Sequence, residues 1–243
     1  MCAHVLLIET DAHGLVIVDT GCGLDDNADL RGRLGAGFVF ATGAQPNPAQ
    51  TALRQVEALG FSGADVKHLV LTHLDLDHAG GIPDFPHATV HLLAAEHSAA
   101  TKPTTFMERE RYKQCHWAHG PNWSTYTPDG EAWRGFAAAR ELRGLPPEIL
   151  MIPVTGHTRG HACVAVETAS GPLVHCGDAY FHHHALEGKP IPGFIRTFER
   201  VAAVDGKRIR DNHARLGELA KSGDGIKVFC AHDMSEYEAL ANA

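Results

Sequence analysis

The stretch Thr72-His73-Leu74-Asp75-Leu76-Asp77-His78-Ala79-Gly80-Gly81, directly after the apolar run Leu69-Val70-Leu71, constrains this chain more than any other. Four potential metal ligands, His73, Asp75, Asp77 and His78, fall within six residues. Held together without a cation, these groups would set repelling carboxylates beside desolvated imidazoles, a conflict that a divalent metal resolves. Taken as extended backbone, the stretch places His73, Asp75 and Asp77 on one face at period two and sends Leu74 and Leu76 into a core. The alternative is a solvated turn in which Asp and His are simply hydrophilic, and the apolar backing argues against it.

Three later segments repeat the pattern of an apolar run ending in a His or Asp. Gly156-His157-Thr158-Arg159-Gly160-His161 follows Ile149 to Val154, Cys176-Gly177-Asp178 follows Leu173-Val174, and Ala231-His232-Asp233 follows Ile226 to Phe229. Loops at strand ends carry function while the strands hold them rigid, so four such loops converging on one edge would build a site.

This ordered set, H-x-D-x-D-H followed by a distant His, a distant Asp and a last His, resembles the metallo-β-lactamase superfamily over nearly the whole chain, from Leu6-Leu7-Ile8-Glu9-Thr10 and Val18-Asp19-Thr20-Gly21 to His232. One ligand departs from the family pattern, because Asp75 stands where most members have His. The resemblance implies an α+β fold, the αββα four-layer sandwich with two mixed β-sheets. It also implies two divalent metal ions, with His73, Asp75 and His157 on one, Asp77, His78 and His232 on the other, and Asp178 bridging. Zinc is the first expectation, and the extra carboxylate leaves Mn or Fe open. Within the superfamily, the loops Gly156 to His161, Gly177-Asp178-Ala179 and His232-Asp233 look most like those of the acyl-homoserine-lactone lactonases.

The implied chemistry is hydrolysis of a small ester-like substrate by a hydroxide shared between the metals, with a lactone first and a thioester, β-lactam or phosphodiester behind it. Asp77 is the residue to manage the hydroxide proton while ligating. Tyr180, two after Asp178, is the candidate for supporting the substrate oxyanion, although its spacing differs from that of related lactonases. Cys22 is not required as a nucleophile, Asp19 reads as a residue that orients a ligand His or the backbone of the ligand loop, and His161 reads as an orienting or structural residue. Two rival readings remain: a non-haem diiron redox protein, since flavodiiron relatives carry a carboxylate at the place of Asp75, and a metal-holding protein without activity.

A formal charge of −8 over 243 residues disfavours nucleic acid as a partner, and a 44% apolar content suffices for a large core. The expected partner is a small-molecule substrate, and nothing in the chain indicates oligomeric state. No apolar run approaches the length needed to span a bilayer, and Met1 to Val5 do not open a signal peptide, so a cytoplasmic protein is expected. Six cysteines without C-x-x-C spacing read as small hydrophobes in a reducing compartment. The triplet His182-His183-His184 reads as surface or orienting histidine.

One domain spanning 1–243 is expected, since the donors need a common frame. Val5 to Ile8 and Leu15 to Val18 form a hairpin, Asn47-Pro48 start a helix that Gly60 ends, and Lys67 to Leu71 deliver the ligand stretch. Thr89 to Leu93, Ile149 to Val154, Cys163 to Glu167, Pro172 to Cys176 and Ile226 to Phe229 read as strands, with Asp205 capping a helix between the last two. The segment 101–145, which holds Trp117, Trp123 and Trp133, reads as a loop-rich aromatic insertion. It is either a lid or pocket wall over the metals or a satellite cluster that pins a long connection.

Overall fold

The computed structural model describes residues 2–223 and 225–241, so Asp224 and the terminal residues lie outside it. By contacts the chain forms two compact units: the first is built from Val5–Leu92 and His97–Thr125, the second from Leu93–Glu96 and everything from Tyr126 on, together with the N-terminal residues to His4.

The sheet of the first unit has five strands in sequence order: β1 (Leu6–Thr10), β2 (Gly14–Val18), β3 (Val66–Val70), β4 (Thr89–Leu93) and β5 (Asn122–Tyr126). The expected hairpin pairs Leu6 with Val18 and Thr10 with Gly14. Its turn needs glycine at position 14, where φ is +74° and a Cβ would stand 3.0 Å from the Asp65 carbonyl. Strand β3 runs parallel to both β2 and β4, and parallel strands are covered on both faces. That is why Leu69-Val70-Leu71 is an unbroken, fully buried apolar run. The helix preceding β3 begins later than the Asn47-Pro48 signal. Pro48–Gln50 form a single 3₁₀ turn, and Thr51 caps the α-helix Ala52–Ala58 by accepting from the Arg54 amide.

The second unit carries β6 (Glu131–Trp133), β7 (Phe136–Glu141), β8 (Ile149–Pro153), β9 (Ala162–Val166), β10 (Leu173–His175) and β11 (Lys227–Phe229), in the order β11-β10-β9-β8-β7-β6. Its strand pairings are antiparallel except β10 with β11, so this sheet is mixed like the first. Helix Gly206–Ala220 starts at Asp205, whose side chain accepts from the Lys207 and Arg208 amides, and buries Ile209, Leu216 and Leu219. The core beneath it also takes in Ile152, Val154, Cys163, Cys176 and Cys230. All six cysteines are free, and these last three are buried as small apolar groups.

The segment 101–145 contains more regular structure than its composition announces. It holds the helix Phe106–Arg111 and strands β5, β6 and β7, and its aromatics divide between the two units. Trp117 and Trp123 pack against the core of the first unit, whereas Trp133 and Phe136 belong to that of the second. These contacts are those of cluster packing. Among the described residues no helix is long and apolar enough to cross a membrane.

Candidate metal centre

The ligand stretch of the first unit is extended only as far as Asp75, which corrects the period-two reading. Asp75 (φ −64°, ψ 155°) is the N-cap of the short helix Leu76–Ala79, so Asp77 and His78 are helical and not strand-like. The anchoring role of the leucines stands: Leu74 is fully buried in the core and Leu76 nearly so.

Asp19 organises this stretch. It is buried in a left-handed conformation (φ +56°) directly after β2, a backbone state that Asp tolerates better than most residues. Its carboxylate accepts from the Thr72 amide (2.8 Å), the Thr72 hydroxyl (2.8 Å) and His78 Nδ1 (2.8 Å). Since the Thr72 hydroxyl donates to Asp19, it accepts from His73 Nδ1 at 2.9 Å. Both imidazoles therefore hold their proton on Nδ1 and present the Nε2 lone pair, the tautomer a metal requires. Their ring centroids are 4.0 Å apart. Thr20 adds a second clamp, with its amide and hydroxyl donating to the His78 carbonyl at 2.8 and 2.7 Å.

The carboxylates lie alongside. Asp75 Oδ2 stands 3.6 Å from His73 Nε2, and Asp77 Oδ1 stands 4.0 Å from His78 Nε2. The other oxygen of Asp75 faces Arg111 Nε at 2.9 Å, a partner that the sequence does not disclose. Arg111 ends the helix Phe106–Arg111, whose start carries a Thr105–Glu108 capping box, and that box is the one legible signal of an ordered element there. Cys22, read as unnecessary for the chemistry, is held far from reactivity: burial first, then the nearby Asp77 and Asp26, pushes its thiol pKa well up.

In the second unit the donors are His157, Asp178 and His232, all buried. Asp178 faces an imidazole with each oxygen: Oδ2 is 3.4 Å from His157 Nε2 and Oδ1 is 3.0 Å from His232 Nε2. His232 Nδ1 donates to the Cys2 carbonyl at 2.6 Å, which leaves its Nε2 lone pair directed at the carboxylate. Two electron-rich atoms 3.0 Å apart in a buried place call for a cation between or beside them, and a carboxylate with an imidazole on each oxygen is the donor arrangement of a bridging ligand. The residues present thus fit a metal.

His161 ties two of the donor loops together. Its Nδ1 donates to the Val154 carbonyl (3.1 Å), and its Nε2 accepts from the Asp178 amide (3.0 Å), so one imidazole joins the His157 loop to the Asp178 loop. Glu96 does comparable work unseen in the sequence. Fully buried, it accepts from the Thr158 hydroxyl (2.7 Å) and the Gly160 amide (3.0 Å), fixing the turn that carries His157.

Tyr180 requires a correction. It is fully buried in the core of the second unit, and its hydroxyl donates to Glu236 at 2.9 Å, so it is committed to packing and cannot support a substrate oxyanion. Phe181 is the neighbour that reaches the donors. Its ring stacks on His232 at 5.2 Å with an interplanar angle of 9° and packs on His157 at 5.8 Å.

Comparison with known proteins bears on which family builds loops of this kind. The family model of the metallo-beta-lactamase superfamily matches residues 3–198. The chain belongs to the metallo-beta-lactamase superfamily. A probable metallo-hydrolase of Mycobacterium tuberculosis is 45% identical over 239 residues, covering 97% of this chain and 76% of the relative. An N-acyl homoserine lactonase of Azorhizobium caulinodans is 28% identical over 236 residues, covering 96% and 83%. Among solved structures, an N-acyl homoserine lactone hydrolase with N-hexanoyl-L-homoserine at its catalytic metal centre superimposes with a TM-score of 0.71 at 22% identity, over 97% of this chain and 82% of that one. The α+β fold with two mixed sheets expected from the sequence is that of the metallo-beta-lactamase superfamily, and the protein is a metallo-hydrolase of this superfamily.

Proposed function

We propose that the protein is a dinuclear metal-dependent hydrolase that opens lactones, N-acyl homoserine lactones first among them. The observation that carries the reading is Asp178, which offers one oxygen to His157 and the other to His232. Family membership supports assigning His73, Asp75 and His157 to one metal and Asp77, His78 and His232 to the other, with Asp178 shared. Zinc is the favoured metal, with Mn or Fe as alternatives because Asp75 adds a carboxylate oxygen.

When bound, such metals acidify a water molecule and polarise a carbonyl oxygen. The chain's own residues do the rest. Asp19, through Thr72 and directly, keeps the His73 and His78 lone pairs on Nε2. His161 holds the backbone of Asp178 in place. Asp77, whose side chain is 18% exposed, is the carboxylate that can take a proton from the attacking water and pass it to the departing alkoxide. Phe181, buried and flat against His232, excludes water from one side of the donors.

The test is turnover of a panel of N-acyl homoserine lactones, simple lactones, thioesters, β-lactams and phosphodiesters before and after chelation. Lactone opening that chelation abolishes and added metal restores, with one solvent oxygen in the product carboxylate, is the expected result. An untouched panel together with dioxygen consumption by the reduced protein would replace the reading with a diiron redox function, which Asp75 also suits.

A further inference from the structure

The histidine triplet after Asp178 has a geometry that composition did not announce. Three consecutive side chains ordinarily diverge, but here His183 adopts helical backbone (φ −52°, ψ −29°) at the start of the short helix His184–Glu187, and the chain turns tightly enough to gather all three rings. Ring centroids of His182 and His183 are 4.5 Å apart, those of His182 and His184 4.5 Å, and those of His183 and His184 4.6 Å. One nitrogen from each lies within 4.8 Å of the other two. A tetrahedral metal with bonds of about 2.0–2.1 Å would need its nitrogens about 3.3 Å apart, so the three rings would close further on binding.

In two of the three rings the second nitrogen is arranged as it is behind a metal ligand. His183 Nδ1 donates to Asp233 Oδ2 at 2.7 Å, and His184 Nδ1 donates to the Pro190 carbonyl at 2.9 Å. Each hydrogen bond puts the ring proton on Nδ1 and the lone pair on Nε2, with a carboxylate or a carbonyl raising the basicity of the ring. Asp233 is a fixed acceptor. The Ser235 amide and hydroxyl hold its other oxygen at 3.0 and 2.6 Å, and the His183 amide adds a bond at 2.8 Å. His182 accepts the His184 amide through Nδ1 at 3.2 Å, which leaves its ring proton on Nε2; release of this long bond and transfer of the proton to Nδ1 bring the Nε2 lone pair into play. Burial lowers the His182 pKa, which favours the neutral ring that a metal binds. All three residues are half-buried.

We propose that His182, His183 and His184 form a separate site for a borderline divalent metal such as Zn(II) or Cu(II), independent of the dinuclear centre. Three imidazoles supply the ligands, Asp233 and the Pro190 carbonyl orient two of them, and solvent completes the coordination. Imidazole-only donors favour these metals over Mg(II) or Ca(II).

The experiment uses the whole protein with its resident metals loaded. Wild type and the variants His184→Ala and His182→Ala/His184→Ala are dialysed against a series of free zinc concentrations, and bound zinc is counted by elemental analysis. Wild type is expected to hold one equivalent more than the double variant in the micromolar range, with affinity for it falling at least tenfold in the single variant. Lactone turnover is expected to be equal in all three. Cu(II) added to loaded wild type is expected to give an electron paramagnetic resonance spectrum with multiple nitrogen splittings that the double variant lacks. A readout on wild type alone guards against misfolded variants: zinc should protect the triplet from diethyl pyrocarbonate, mapped residue by residue by mass spectrometry. Equal zinc content at every concentration, extra zinc only in the millimolar range, or unprotected triplet histidines would each overturn the proposal.

Discussion

Replacing Asp19 by Asn probes the tautomer control of the ligand histidines with almost no change of shape. Asn fits the space and, like Asp, tolerates the left-handed φ of +56° at this position. It cannot match the donors that surround it. One side-chain oxygen becomes NH₂, while Thr72 N and His78 Nδ1 both need an acceptor at 2.8 Å. With the amide turned one way, an N–H meets the Thr72 amide. Turned the other way, His78 must move its proton to Nε2 to accept from the new NH₂, and the lone pair presented to metal is lost. Each outcome forfeits one charge-assisted hydrogen bond, about 1.5–3 kcal/mol. Expressed at the metal, at about 1.4 kcal/mol per tenfold, this is roughly a 10- to 100-fold loss of affinity. The assay is competition for metal against a chromophoric chelator, paired with thermal melting of the metal-free protein. The melting temperature of the metal-free protein should fall by only a few degrees while metal affinity drops by at least tenfold. An Asp19→Asn variant that binds metal as tightly as wild type would refute the claim that Asp19 sets the tautomers.

Four further outcomes rest on the same kind of contact. Asp178→Asn should lower bound metal from two equivalents to one or none by elemental analysis, since one carboxylate is assigned to both metals. Gly160→Ala should destabilise the protein by about 1–3 kcal/mol in urea titrations and reduce metal content, because a Cβ would lie 2.2 Å from the Glu96 amide nitrogen, a backbone atom that cannot swing away. Tyr180→Phe should leave kcat/KM unchanged and cost about 1 kcal/mol in stability, the loss of its bond to Glu236. Asp84 is pushed up to about 6, by burial first and then by Asp25 and Asp26, against the lowering effect of its bond from the Leu24 amide. The folded state thus holds this proton between pH 3.8 and about 6, so the contribution favours folding below that window and is lost as pH rises through 6. Asp84→Asn, which keeps an acceptor for Leu24, should accordingly stabilise metal-free protein at pH above about 6, by about 1 kcal/mol after allowing for partial solvent screening, and leave it unchanged near pH 4, as urea midpoints would record.

The donors are legible because their chemistry is concentrated. Four acid and imidazole groups in six residues behind Leu69-Val70-Leu71 have few structural explanations, and the runs before His157, Asp178 and His232 mark strand ends correctly to within a residue or two. What cannot be read is whatever depends on a distant partner. Arg111 meets Asp75 only because the helix Phe106–Arg111 ends there, and Glu96 meets Thr158 across 62 positions. Tyr180 misleads because its spacing from Asp178 says nothing about the Glu236 carboxylate that claims its hydroxyl. The 101–145 segment reads as loop because charged, Pro and Gly residues obscure short strands such as Asn122–Tyr126, whose Trp, Thr and Tyr are good strand formers. The helical turn at Asp77 and His78 escapes notice because four residues are too few for periodicity to separate helix from strand.

The buried carboxylate of Asp19 divides the surrounding positions into those that laboratory evolution can vary and those that it cannot. Position 75 stands beside His73 with one oxygen and faces the Arg111 guanidinium with the other, so His, Glu or Asn there is expected to alter the proposed metal or substrate preference, read out as metal content and turnover of each variant. Position 19 serves one ring directly, a second through the Thr72 hydroxyl, and one amide, in a backbone state open to few residue types. A library built to retrain this protein toward another ester should therefore randomise position 75 and the residues around Phe181, and hold position 19 fixed.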